Sequence, residues 1–137
     1  MTMPEGKRFA IDALTALRII RDDPGIGSRR RLVGPAVLRS HVLSLLYREV
    51  REGKIEEKEA RTQLDGLAAL QIRLLGDRVS RATAWKIARQ LDWEDTALAE
   101  YLAVATLQAD ALITADHTIQ AAAAEFTTLA DYGALRG

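Results

Sequence analysis

Apolar positions along this chain follow two rhythms, one short and unbroken, the other spaced three and four residues apart. "RFAI" at 8–11 is a short run that reads as a strand. Asp12 follows it, and "ALTALRIIRDD" then sets Leu14, Leu17 and Ile20 at helical spacing. "DPGIG" at 23–27 ends that helix, because proline lacks an amide donor and glycine admits positive φ. "LVG" at 32–34 reads as a second short strand, and Pro35 suits the first turn of the next helix. That helix runs to about Glu52 with Val37, Leu38, His41, Val42, Leu45, Leu46 and Val50 on one stripe, and Gly53 closes it.

The same alternation continues. Residues 55–70 form a helix with acidic residues in its first turn, where the helix dipole favours them. "QIRLLG" is a strand with a glycine stop. Residues 78–91 form a helix with Val79, Ala84, Ile87, Ala88 and Leu91 on one half and Trp85 at its margin. After a connection at 92–96, "ALAEYLAVATLQA" brings Leu98, Tyr101, Leu102 and Ala105 onto one face. A strand at 111–114, a short helix at about 117–124 and a last strand near Phe126–Leu129 complete the pattern. Strands separated by helices pair in parallel, so the expected architecture is a three-layer α/β/α sandwich around a mostly parallel sheet. No repeat or linker divides the chain, and residues 1–137 read as one domain.

Composition narrows the class without naming a function. Apolar residues are 48% of the chain and charged residues 28%, ordinary for a globular domain. No apolar run nears the ~18 residues of a membrane span. "MTMPEGKRFA" lacks the apolar core of a secretory signal, and the chain has no cysteine, so the expectation is a cytoplasmic protein without disulfide or thiolate chemistry. Nineteen basic and nineteen acidic residues cancel. A local basic patch remains in Arg29, Arg30 and Arg31, which read either as a solvated loop or as contacts to RNA backbone.

Candidate chemistry lies at two strand ends. "FAI" leads to Asp12 and "LITA" leads to Asp116, and in a parallel α/β sheet sites open beyond the carboxyl ends of strands. Each aspartate alone reads as a helix cap. Two on the same sheet edge repel unless a cation lies between them, and Mg²⁺ or Mn²⁺ suits such oxygen ligands together with water and phosphate. That chemistry would serve phosphodiester hydrolysis.

Here the sequence resembles the PIN-domain family, specifically its VapC-type toxins of bacterial toxin–antitoxin pairs. The resemblance rests on "FAIDALTALRII", on "VGPAVLRSHVLSLLYREVREGKIEEKEARTQLDGL" and above all on "RVSRATAWKIARQLDWEDTALAEYLAVATLQADALITADHTI", and it spans nearly the whole chain. It implies a PIN-like fold, Mg²⁺-dependent endoribonuclease activity on RNA, a homodimer and an inhibitory antitoxin protein as partner. Position by position, it assigns metal and catalytic roles to Asp12 and Asp116, with Thr114 as the threonine of Thr-x-Asp. The polar residue expected two after Asp12 is Leu14, which leaves Thr15 as its substitute.

Two acidic positions of the resembled pattern differ. His41 stands where a glutamate is expected, in "His41-Val42-Leu43-Ser44", and Leu98 stands where an aspartate is expected three residues before Tyr101. His41 has two readings, a nitrogen ligand that favours manganese or a hydrogen-bonded histidine on an apolar stripe. Asp95 has two as well, a catalytic replacement carboxylate if its helix starts early enough, or a helix-start cap. Glu94 and Glu100 are expected to be solvated, His117 to be a polar helix-start residue, and Trp85 and Trp93 to pack at the core and rim. Two functions follow: a metal-dependent ribonuclease, or a catalytically silent PIN-like module that binds RNA or a protein.

Overall fold

The computed structural model describes residues 6–136; the reading of the first ten residues falls partly on 1–5, outside the described residues. Four strands form one all-parallel sheet: β1 (Arg8–Ile11), β2 (Arg31–Pro35), β3 (Arg73–Leu75) and β4 (Ala111–Ile113). Seven helices surround it: α1 (Ala13–Asp22), α2 (Ile26–Arg29), α3 (Leu38–Arg51), α4 (Glu57–Ala69), α5 (Arg78–Gln90), α6 (Ala99–Gln108) and α7 (His117–Ala123). A 3₁₀ turn, Tyr132–Leu135, is the last element among the described residues. The expected sandwich is therefore observed, and its sheet is wholly parallel.

Strand order is β3-β2-β1-β4, which decides where each helix must lie. The chain steps from β1 to β2 to β3 in one direction, then returns across the sheet to β4. Right-handed crossovers put the first set of helices on one face and the second set on the other. Accordingly α1, α3 and α4 pack together, while α6 lies over β1 and β2 and beneath α5. α6 is apolar almost all round, with Tyr101, Leu102, Ala103, Val104 and Ala105 all buried. A helix of that kind belongs in an interior, between the sheet and another helix.

Four local expectations are corrected. Pro35 ends β2 instead of opening α3: Ala36 N–H takes the Leu75 carbonyl at 2.9 Å, so the donor missing from proline leaves no gap, and α3 begins at Leu38. No strand forms at 126–129. The Phe126 and Thr127 amides turn back onto the Ala123 carbonyl, and only Leu129 makes an isolated parallel bridge to Leu112. That bridge covers the edge of β4, an edge otherwise open to pairing. Val79 and Trp85 are exposed, at 58% and 64%, because α5 turns Ser80, Ala84, Ile87 and Ala88 inward. Gly53 behaves as expected, with φ +74° just past α3.

Candidate functional site

The reversal of strand order makes the gap between β1 and β4 the switch point of the sheet, where α/β folds open a crevice. Asp12 follows β1 and Asp116 follows β4 beyond Thr114 and Ala115. Both line one pocket of about 170 Å³, together with His41, Arg48, Leu98 and Tyr101.

Each aspartate is held by the start of the helix behind it. Asp12 caps α1, its Oδ1 accepting the Thr15 amide at 2.8 Å. Asp116 caps α7, its Oδ1 accepting the Ile119 amide at 2.9 Å. The cap reading of both residues is thus correct, and it does not compete with a site. Capping leaves Asp116 partly open to the pocket, while Asp12 is only 2% exposed.

Thr114 joins the two. Its hydroxyl donates to Asp12 Oδ2 at 2.6 Å and accepts the Asp116 amide at 3.0 Å. The Ala115 amide adds a third contact to Asp12, at 3.3 Å on Oδ2. Thr15 contributes its amide to Asp12 and its hydroxyl to the Ile113 carbonyl at 3.2 Å, tying α1 to the end of β4. Gln120 Nε2 donates to the Thr114 carbonyl at 2.8 Å and pins the same turn. The Thr-x-Asp spacing has a mechanical meaning here: one hydroxyl sets the position of both carboxylate-bearing residues.

The opposite wall comes from α3 and α6. His41 Nδ1 and the Tyr101 hydroxyl share a hydrogen bond of 2.7 Å, and their rings stack with centroids 5.5 Å apart. Only Nε2 of His41 is left for any other partner. Burial pushes the Tyr101 hydroxyl pKa far above its ordinary value, and the charges of Asp12, Glu100 and Asp116 add to the shift. Tyr101 therefore stays a neutral hydrogen-bonding group. Leu98 is half-buried and presents an apolar wall where the resembled pattern has a carboxylate.

Two placements differ from expectation. Asp95 is exposed and outside the pocket lining; α6 begins only at Ala99, so Asp95 sits in the preceding turn and accepts the Ala97 amide at 3.1 Å. Glu100 is half-buried rather than solvated, its pKa raised by burial against the opposing charge of His41. Arg48, which the sequence analysis does not single out, also lines the pocket; it stands seven residues after His41, two turns along the same helix. Glu94 and His117 are exposed and Trp93 half-buried, as expected. Arg29, Arg30 and Arg31 are not at this pocket; Arg31 opens β2, at the amino end of the sheet.

The donor set can be weighed against a divalent cation. Among the described residues no group of three or more histidine, aspartate or glutamate side chains is arranged to hold a metal ion. No buried side-chain polar atom among them lacks a partner. A protein-only cage is therefore absent there. Two carboxylates facing one pocket do suit Mg²⁺, which commonly takes one or two carboxylates and fills its remaining positions with water and phosphate.

No protein-family model matches the sequence, and no curated protein matches it. Among solved structures, the chain is similar to PAE2754 from Pyrobaculum aerophilum, at 19% identity over 95% of this chain and 94% of that one, with a TM-score of 0.75. At that identity the likeness establishes the fold alone. Among the described residues no helix is long and apolar enough to cross a membrane.

Proposed function

We propose that this chain is a PIN-like, divalent-metal-dependent ribonuclease whose chemistry is seated between Asp12 and Asp116. The observation that carries this reading is their shared pocket at the switch point, with Thr114 bonded to both residues. Asp12 and Asp116 would hold Mg²⁺ or Mn²⁺. When bound, that ion supplies an activated water and neutralises charge on a phosphodiester.

The rest of the work falls to this chain's own groups. Three donors fix the Asp12 carboxylate, so it needs no rearrangement to meet a ligand. Arg48 brings a positive charge to the same pocket, suited to a phosphate oxygen. His41 is oriented by Tyr101 and leaves Nε2 to contact substrate or water. Leu98 adds no charge and narrows the site to two carboxylates.

A second reading has its own support. With His41 bonded to Tyr101 and Leu98 in the lining, the pocket carries two of the four acidic groups the resembled pattern expects. Such a pocket would suit a module that binds RNA or a protein without cleaving. An RNA-cleavage assay in Mg²⁺ and in Mn²⁺ separates the two, run beside a binding assay with the same RNA. Cleavage by the wild type that Asp12→Asn and Asp116→Asn both abolish supports the nuclease. Binding without cleavage in either ion supports the module.

A further inference from the structure

The opposite edge of the sheet carries a second, basic feature. Arg8 opens β1, Arg31 opens β2 and Arg73 opens β3. Arg8 pairs in register with Arg31, and Arg73 pairs with Val33, two residues beyond Arg31. Register partners share a face, and so do residues two apart on a strand. The three arginines thus lie on one face of three adjacent strands, at the end remote from Asp12 and Asp116.

These residues line a hollow of about 550 Å³ together with Arg29 and Arg30. A neighbouring hollow of about 270 Å³ adds Lys7 and shares Arg30 and Arg31 as its wall. The two form one track with six cationic side chains and, among the described residues, no acidic lining residue. Among the described residues, Asp23 pairs with Arg29 at 2.6 Å and Asp110 accepts the Arg8 amide at 2.8 Å beside the track, and Arg31 also has an interaction of its own. Arg30 spends its Nε on the Leu135 carbonyl. The chain as a whole is neutral, so this concentration is local. Gly27 shapes one wall: a Cβ there would crowd the Gln71 backbone, at 3.1 Å from its nitrogen and 3.2 Å from its oxygen, so glycine eases the close approach of α2 to the turn before β3.

We propose that this track binds the phosphodiester backbone of nucleic acid, as a site separate from the carboxylate pocket. A cleft lined by one sign of charge concentrates the opposite ion. Five of the six cations are arginine, whose planar fork matches phosphate oxygens better than the point charge of lysine. Among the described residues Phe9 is the sole aromatic in the lining and it is buried, so they offer no platform for base stacking. Recognition is therefore of backbone charge, indifferent to sequence and sensitive to salt. The inference goes beyond the reading of the pocket and does not depend on hydrolysis there.

The test is fluorescence anisotropy of labelled single-stranded and duplex RNA, in EDTA, which removes any metal-bridged binding at the carboxylates. The wild type is compared with the double variant Arg29→Gln/Arg73→Gln, both positions exposed, so that loss of fold is not expected and circular dichroism confirms it. The wild type should bind at least one RNA form. The variant should bind that form about tenfold more weakly, and its log–log salt slope should be shallower by about 1.4 for single strands, at about 0.7 per lost phosphate contact. Equal affinity and slope in the two proteins overturn the proposal, as does failure of the wild type to bind either form. Displacement of RNA by polyglutamate at equal charge concentration also overturns it, in favour of an acidic protein partner.

Discussion

The Thr114 hydroxyl reaches Asp12 Oδ2 at 2.6 Å and so joins the tips of β4 and β1, two strands that are neighbours in the sheet but a hundred residues apart in the chain. A hydrogen bond to a charged, buried acceptor is worth about 1.5–3 kcal/mol. Thr114→Val should therefore lower stability by about 2 kcal/mol, because Asp12 would keep only its two amide donors. Thr114→Ser keeps the hydroxyl and should recover most of the loss. Urea unfolding measures both, and equal stability for the valine and serine variants would contradict the role given to the hydroxyl.

Asp116 offers a contrast between cap and carboxylate. Asp116→Ala removes the acceptor of the Ile119 amide and should cost about 1 kcal/mol, whereas Asp116→Asn retains a side-chain oxygen for the cap. The asparagine variant should be close to wild type in thermal melting yet impaired in metal binding. Equal destabilisation by alanine and asparagine would show that the cap is not the structural role of Asp116.

The readable part of this fold was its periodic part. β1, β4 and the long helices follow from apolar spacing, and the parallel pairing follows from their alternation. Pro35 misled because proline suits both a helix start and the last rung of a strand, and the choice depends on the Leu75 carbonyl, which sequence does not place. Trp85 misled because its size suggests burial, while α5 is rotated to bury Ser80 and Ala84. In the site, Asp12, Thr114 and Asp116 were legible from their strand-end positions. The missed residues were Glu100 and Arg48. Glu100 follows a helix start that proved later than the apolar pattern suggests, and Arg48 escaped notice because a charged residue near the end of a helix normally reads as solvated.

Leu98 is the most direct place to restore charge. Leu98→Asp would add a carboxylate to the lining of the pocket that already holds Asp12 and Asp116. The expected outcome is at least about tenfold tighter Mn²⁺ binding, or about 1.4 kcal/mol, together with faster RNA cleavage. Tighter metal binding without faster cleavage would detach the site from the proposed reaction.

Glu100 supplies a pH dependence. Its pKa is raised chiefly by burial, with the charge of His41 opposing the shift. The folded chain therefore holds this proton more tightly than the unfolded chain does. The resulting stability is fully present below the ordinary glutamate pKa and is lost as pH rises through the raised one. Relative to Glu100→Gln, the wild type should lose stability as pH climbs out of the ordinary glutamate range. Urea melts of both proteins across that range check it; a constant difference, or one of opposite slope, contradicts it.

The central claim is that Asp12 and Asp116 together form a cation site at the switch point of the sheet. Calorimetric titration of Mn²⁺ into the wild type and into Asp116→Asn tests it most directly. Saturable binding to the wild type and its loss in the variant, with the variant still folded, are the expected results. An absence of binding to the wild type, or equal binding to both proteins, would contradict it and leave the pocket without the ion its proposed chemistry requires.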